Sequence, residues 1–320
     1  MIQLLRHHEI DPGRWEACLQ NAERPLVYAH FWYLEVVAQG QWEALVEVLD
    51  GAYVSLFPLP VKTAFGLDFL YQPFFTQQLG LFTTPASQHR DVAEYVARLP
   101  ALYAQGQYQM PQIPAQPNEG EAAWGHRLRT NYELALDRPY DQLRQGYSLN
   151  LRRNLKKNSP LEGLRPGTTI EPLLHLFKAT KGRELPELKE RHYRLLAQLY
   201  RRAQQEGVGQ LWEVEQQGEL LAAALLLVTG SRTTFLLGAS STQGRKQNAM
   251  ALLLDQAVQR EADSGKTFDF EGSDVPGVAK FYAGFGAKPV PYLSLYFKRH
   301  KRTFRQWIFN ACTSLVKRLR

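Results

Sequence analysis

The 320-residue sequence predicts an α/β (α+β) protein of two tandem units, each a mixed, mostly antiparallel sheet flanked by helices. Three observations point there. The length is too great for one ordinary small domain and suits two of about 150 residues. In the second half the apolar period switches from helical to strand-like and back, with two short turns separating three strand-like runs. The first half repeats that element order coarsely, although the halves do not align residue by residue.

In chain order, residues 1–5 read as a strand, and 12–21 and 30–38 as helices. Residues 42–49 and 53–61 read as strands around Asp50-Gly51, a hairpin signal. A third strand is expected at 68–72, a helix at 89–104 and a strand at 107–112. This bounds a first unit at 1–113, with a linker over 114–128 centred on the Pro- and Gly-containing stretch 114–121.

The second unit, 129–297, opens with a weakly alternating strand at 131–136 and a polar, basic helix at 138–158. Helices follow at 171–180 and 187–204, the latter with Leu188, His192, Leu195, Leu196 and Leu199 at helical spacing. Residues 209–214, 220–228 and 233–238 form an expected antiparallel meander. A polar loop at 240–247 leads into a helix at 249–262, with Asn248 as the expected N-cap and Gly265 as the stop. A strand at 267–271, a helix at 275–282 capped by Ser273 or Asp274, and a strand at 290–297 complete the unit.

The chain is 44% apolar and carries a formal charge of +7. Eight Lys/Arg and no acid lie from Lys298 onward, so the remainder nets one negative charge. The basicity belongs to the tail, which removes most support for a nucleic-acid-binding body. Cys18 and Cys312 are isolated and make neither a disulfide framework nor a zinc spacing. The eight histidines are scattered, so no metal is expected. The N-terminus lacks the apolar core of a signal peptide, and the longest apolar run, 220–228, is far short of the roughly 20 residues needed to span a bilayer. A reduced, cytoplasmic protein is the expectation.

Three stretches resemble a known family. Phe268-Asp269-Phe270-Glu271-Gly272-Ser273, followed by the run from Gly277 to Ala287 with Phe281-Tyr282-Ala283-Gly284-Phe285-Gly286 inside it, is similar to the strand, loop and helix closing the second unit of Fem-like proteins. The run Tyr147 to Lys157 resembles the basic segment opening that unit, and Gln72 to Gly80 resembles a first-unit stretch of bacterial relatives. The family is the GNAT acyltransferase superfamily in its double-unit branch, the Fem-like and BioF2-like acetyltransferase-domain proteins. The resemblance implies two GNAT-like units and a bacterial N-acyltransferase using acetyl-CoA or another acyl-CoA as co-substrate. A fold alone does not assign a reaction.

Acyl transfer to an amine needs a base for the amine proton, a donor for the oxyanion and an acid for the leaving group. In GNAT enzymes a tyrosine on the last helix commonly protonates the CoA thiolate, and Tyr282 stands at the matching position; the alternative is a packing tyrosine. Fem-like peptidyltransferases tend to carry a lysine there, so Tyr282 favours acyl-CoA over aminoacyl-tRNA. Asp269 and Glu271 alternate with Phe268 and Phe270, so the carboxylates share the face opposite the aromatics. Glu271, at the strand end, is the candidate base, or else a partner of Lys280 or a helix cap. Gln243, Gly244, Arg245, Lys246, Gln247 and Asn248 join a strand to a helix N-terminus, a geometry suited to the donor pyrophosphate. The usual GNAT phosphate pattern is not clean there, and an exposed polar loop is the alternative. Arg152 and Arg153, with Lys156 and Lys157, are candidates for an anionic acceptor or a solvated helix face; Gln77 is a candidate for lining a first-unit pocket.

Phe304, Trp307, Ile308, Ala311, Leu315 and Leu319 share one helical face among basic residues, the pattern of an interfacial helix over 301–320, or of a terminal helix docked on the body. Peripheral contact with the inner membrane is one expectation for it. The leading reading is transfer from acyl-CoA to an amine of a small-molecule or envelope-precursor acceptor. Its rivals are a Fem-like transferase using aminoacyl-tRNA, which the near-neutral body disfavours, and a non-catalytic double-GNAT scaffold or ligand sensor.

Overall fold

The structure is a computed structural model that describes residues 1–114, 122–157 and 164–300. The first unit runs β1 (Ile2–Leu5), α1 (Pro12–Gln20), α2 (Phe31–Ala38), β2 (Trp42–Leu49), β3 (Ala52–Ala64), β4 (Leu67–Leu70), β5 (Phe82–Thr83), α3 (Val92–Val96), α4 (Leu99–Leu102) and β6 (Gln105–Met110). Asp11 caps α1 by accepting the Arg14 N–H at 2.9 Å, with Pro12 at the first helical position. Asp50 and Gly51 both adopt positive φ, 50° and 79°, as the expected hairpin turn requires. The helix expected at 89–104 is two short ones, because Pro100 has no N–H to continue the ladder.

The remainder runs β7 (Ala122–Ala135), α5 (Tyr140–Gln145), α6 (Leu149–Lys157), β8 (Leu164–Pro166), α7 (Glu171–Ala179), α8 (Glu190–Gln205), β9 (Gly209–Gln216), β10 (Glu219–Val228), β11 (Arg232–Ser240), α9 (Thr242–Lys246), α10 (Ala249–Arg260), β12 (Thr267–Gly272), α11 (Pro276–Ala283) and β13 (Lys288–Arg299). The expected meander is present as β9, β10 and β11, each antiparallel to the next. The expected helix at 138–158 is broken between α5 and α6, where the Ser148 N–H donates to the Gly284 carbonyl at 2.8 Å, tying this turn to the end of α11. The cap expected of Ser273 or Asp274 also differs: Val275 occupies the N-cap, Ser273 Oγ accepts its N–H at 3.0 Å, and Asp274 turns to Arg127 and Arg129.

All strands join one sheet, in the order β1-β2-β3-β4-β6-β13-β7-β12-β11-β10-β9-β8, with β5 paired to β3. The last strand, β13, lies between β6 of the first unit and β7 of the second, so the units meet edge to edge. β7 pairs with β13 from Ala122↔Arg299 to Lys288↔Glu133. Residues 122–128, expected as linker, are therefore strand: the whole inner edge of β13 requires a hydrogen-bonding partner. The remaining linker residues 115–121 and the tail 301–320 lie outside the described residues.

One hydrophobic core spans both units on one face of the sheet. It joins Trp15, Tyr28, Tyr33 and Tyr108 to Leu173, Leu196 and Leu199 of α7 and α8 and to Ala223, Leu225 and Leu227 of β10. A second core fills the other face of the second unit, with Phe268, Phe270 and Phe285 packed against α6 and α10. β10 is buried on both faces, which is why its sequence reads as an unbroken apolar run. Among the described residues no helix is long and apolar enough to cross a membrane.

Candidate active site

β11 and β12 run parallel for three residue pairs, Arg232↔Thr267, Thr233↔Phe268 and Thr234↔Asp269, and then part. Both strands carry an irregularity at that level. In β11 Leu225 faces Leu237 but Leu226 faces Phe235, leaving Leu236 as an extra residue. In β12 the register against β7 slips between Asp269 and Gly272, and Glu271 takes a left-handed φ of 57°. Asp269 holds that conformation: its Oδ1 accepts the Glu271 N–H at 2.9 Å. Between the diverging strands lies a cleft of about 940 Å³, walled by β11, the end of β12, α11 and the chain following α7. A second cavity of about 480 Å³ adjoins it around Gly277 and Phe281, beside α6 and the start of α10.

Glu271 and Tyr282 both line the larger cleft. The Tyr28 hydroxyl, from the first unit, donates to Glu271 Oε1; Oε2 has no hydrogen-bond partner among the described residues. Burial pushes the Glu271 carboxyl up to about 8, against the Tyr28 hydrogen bond and with the Asp269 carboxylate adding to the rise. Tyr282 stacks near Phe270, ring centroids 5.2 Å apart, and no described residue hydrogen-bonds its hydroxyl. Burial and the nearby Glu271 and Asp269 charges raise its phenol above the ordinary range, so it holds its proton at neutral pH. Asp269 is 1% exposed and does not line the cleft. It accepts from Asn131 at 3.0 Å and pairs with Arg232 at 2.9 Å, and Arg232 also reaches Glu133 at 3.0 Å. Burial raises the Asp269 carboxyl, opposed by the Arg232 guanidinium. Its place is beneath the site, as a prop.

Residues 145–280 match the family described as acetyltransferase (GNAT) domain. The solved structure of FemX is similar over 93% of this chain and 97% of its own, with a TM-score of 0.65 at 13% identity. The chain shares the double-unit fold of FemX, and residues 145–280 within it are similar to the GNAT domain. A conserved protein of unknown function from Bacteroides thetaiotaomicron VPI-5482 is similar over 93% of this chain and 100% of its own, with a TM-score of 0.60 at 11% identity. A tandem GNAT protein from the clavulanic acid biosynthesis pathway, solved without AcCoA, is similar over 95% and 100%, with a TM-score of 0.50 at 12% identity. No curated protein sequence matches this chain.

Within the GNAT unit, the stretch 243–248 departs from expectation. Residues 242–246 form the short helix α9, capped by Ser241, whose Oγ accepts the Gly244 N–H at 2.9 Å. Gly244 packs onto β10 so closely that a Cβ would stand 1.9 Å from the Leu221 carbonyl oxygen, so it serves packing and its N–H is already used. Arg245 lines the large cleft and Asn248 the smaller cavity, whereas Gln243 and Lys246 are exposed and, with Gln247, line neither. Asn248 sits at the N-cap with φ 52° and makes no side-chain cap bond; it pairs with Asn154 instead, at 3.3 Å. The N–H groups of Ala249, Met250 and Ala251 consequently meet no acceptor among the described residues; Met250 lines the larger cleft and Ala251 the smaller cavity, while Ala249 is buried.

Arg152, Arg153 and Gln77 are not brought together. The two arginines ride on α6, which packs against α10, and neither lines either cavity. Gln77 lies beside Gly272 at the end of β12, bonded to Gln78 at 2.7 Å, and it too is off the cleft. Every residue lining the cleft comes from the second unit. Among the described residues the first unit contributes no lining to the cleft; it approaches from behind, with Tyr28 bonded to Glu271 and Gln77 beside Gly272. No sequence signal marks Tyr28, which is 243 residues from its partner.

Proposed function

We propose that this protein is an N-acyltransferase that moves an acyl group from acyl-CoA to an amine. The observation that carries the reading is the parting of β11 and β12 with Glu271 and Tyr282 both on the resulting cleft. Beyond Thr234 the facing edges of both strands lack strand partners, so an extended thioester arm finds main-chain hydrogen-bonding groups there. The unpartnered N–H groups opening α10 suit the donor's phosphates, with Arg245 and Asn248 at hand.

In this scheme the neutral amine attacks the thioester carbonyl carbon. Glu271 Oε2 takes the amine proton as the C–N bond forms. As the C–S bond breaks, the Tyr282 hydroxyl gives its proton to the departing sulfur, and solvent restores it. A carboxyl with a proton affinity near 8 is matched to an amine better than an ordinary glutamate is. Acyl-CoA is an intracellular metabolite, which agrees with a cytoplasmic location.

Calorimetry with acetyl-CoA tests the donor: saturable heat and a thermal shift are expected. Release of free CoA thiol in the presence of a panel of primary amines tests the transfer, and Tyr282→Phe should slow it. Absence of both heat and thermal shift with acetyl-CoA sinks the proposal in favour of a non-catalytic scaffold.

A further inference from the structure

We infer that Tyr28 of the first unit is a positioning residue for Glu271, pinning Oε1 from behind so that Oε2 alone is turned to the cleft. This deepens the acyl-transfer reading and rests on Glu271 being its base.

Tyr28 is held by its own unit. It is 1% exposed, in a buried turn over Val27–Ala29 just before α2. The Trp15 indole N–H fixes that turn by donating to the Ala29 carbonyl at 2.8 Å. The Tyr33 ring meets Tyr28 edge-on with centroids 5.6 Å apart, and the Tyr33 hydroxyl is committed to the Phe75 carbonyl. The phenol therefore approaches Glu271 from a rigid wall. The groups facing Glu271 are Asp269 on its own strand, Tyr28 and Tyr33 from the first unit, Tyr282 from α11 and Tyr292 from β13. Of these side chains only Tyr28 hydrogen-bonds it.

A phenol that donates to a carboxylate stabilises the anion and leaves the proton acid free to sit on the other oxygen. Tyr28 keeps its own proton throughout, because burial and the neighbouring carboxylates raise it well above the ordinary range. It therefore tunes and aims the base and does not relay the proton. This gives the first unit a role in the chemistry of the second although it contributes no lining to the cleft.

The test is a carboxyl NMR titration of the full chain labelled with carboxyl-¹³C glutamate, with Glu271→Gln identifying the resonance. The wild-type resonance should titrate near 8. In Tyr28→Phe it should move up by about one pH unit. With 3,5-difluorotyrosine at position 28, a stronger donor of the same shape, it should move down; this variant decides the matter if the Phe variant does not fold. Tyr33→Phe removes an equally buried hydroxyl that does not touch the carboxylate, and should leave the titration within about 0.3 unit. An unmoved resonance in the Tyr28 variants overturns this inference alone. Full acyl-transfer turnover in Glu271→Gln removes instead the reading of Glu271 as base.

Discussion

Each unit contains one parallel strand pair, β4 with β6 in the first and β11 with β12 in the second, and the two differ in the segment that comes after it. In the first unit β4 and β6 pair at Phe69↔Gln105 and Leu70↔Gly106. Past that point the chain over 72–80 stitches the gap shut. Gln72 Oε1 accepts the Gln109 N–H at 3.0 Å, the Leu79 N–H donates to the Gln109 carbonyl at 2.8 Å, and the Gly80 N–H donates to the Tyr108 hydroxyl at 3.0 Å. Gly106 lies so close under the Phe297 ring and Leu70 that a Cβ would stand 2.4 Å and 2.8 Å from them. In the second unit β11 passes into α9 and no segment returns, so the parting strands keep a cleft of about 940 Å³. A shared topology creates the opportunity for a site; the segment after the parallel pair decides whether the edges are sealed.

The contrast can be broken most sharply at the open cleft. Glu271→Gln and Tyr282→Phe should each lower acyl-transfer turnover by about 100-fold or more, read as CoA release at saturating donor. Substitutions at Gln72 in the sealed unit should leave turnover near wild type. Comparable losses from both units would end the distinction.

Glycine substitutions give the next largest effect. In Gly244→Ala the new methyl meets the Leu221 carbonyl, which is backbone of a central strand and cannot yield. The loss should be about 3 kcal/mol in urea unfolding. In Gly106→Ala the obstacles are side chains that can shift, so about 1–2 kcal/mol is expected.

The Glu271 carboxyl sharpens the comparison through pH. Its folded-state value of about 8 lies above the ordinary 4.5, so the folded protein holds that proton more tightly. The associated stability is fully present below pH 4.5 and is lost as pH rises through 8. Glu271→Gln should therefore unfold at higher urea than wild type above pH 8, by on the order of 1–2 kcal/mol, and should show no such gain at pH 4. Turnover, in contrast, should rise through pH 8 in wild type, because the base must be deprotonated. The smallest effect is at the seal itself: Gln72→Ala should cost about 1 kcal/mol by removing one buried backbone partner.

What the sequence determined by itself is local. Alternation and turn chemistry place β9, β10 and β11, the Asp50-Gly51 hairpin, α10 and α11, and they put Phe268 and Phe270 into a core with the two carboxylates on the other face. They also put Glu271 and Tyr282 close enough along the chain to be considered together. The local form of 243–248 was not legible, because a strand-to-helix join reads as a polar loop until Ser241 is seen capping α9 and Gly244 is seen against Leu221, which leaves Arg245 and Asn248 as the members of that stretch on the cavities. Tertiary structure alone decided that β13 lies between the units, that the gap beyond the first parallel pair is closed and that beyond the second open, and that Tyr28 stands behind Glu271. Hydrophobic period and turn residues act over a few positions of chain, whereas these three outcomes depend on which distant edges find each other's unpaired N–H and carbonyl groups.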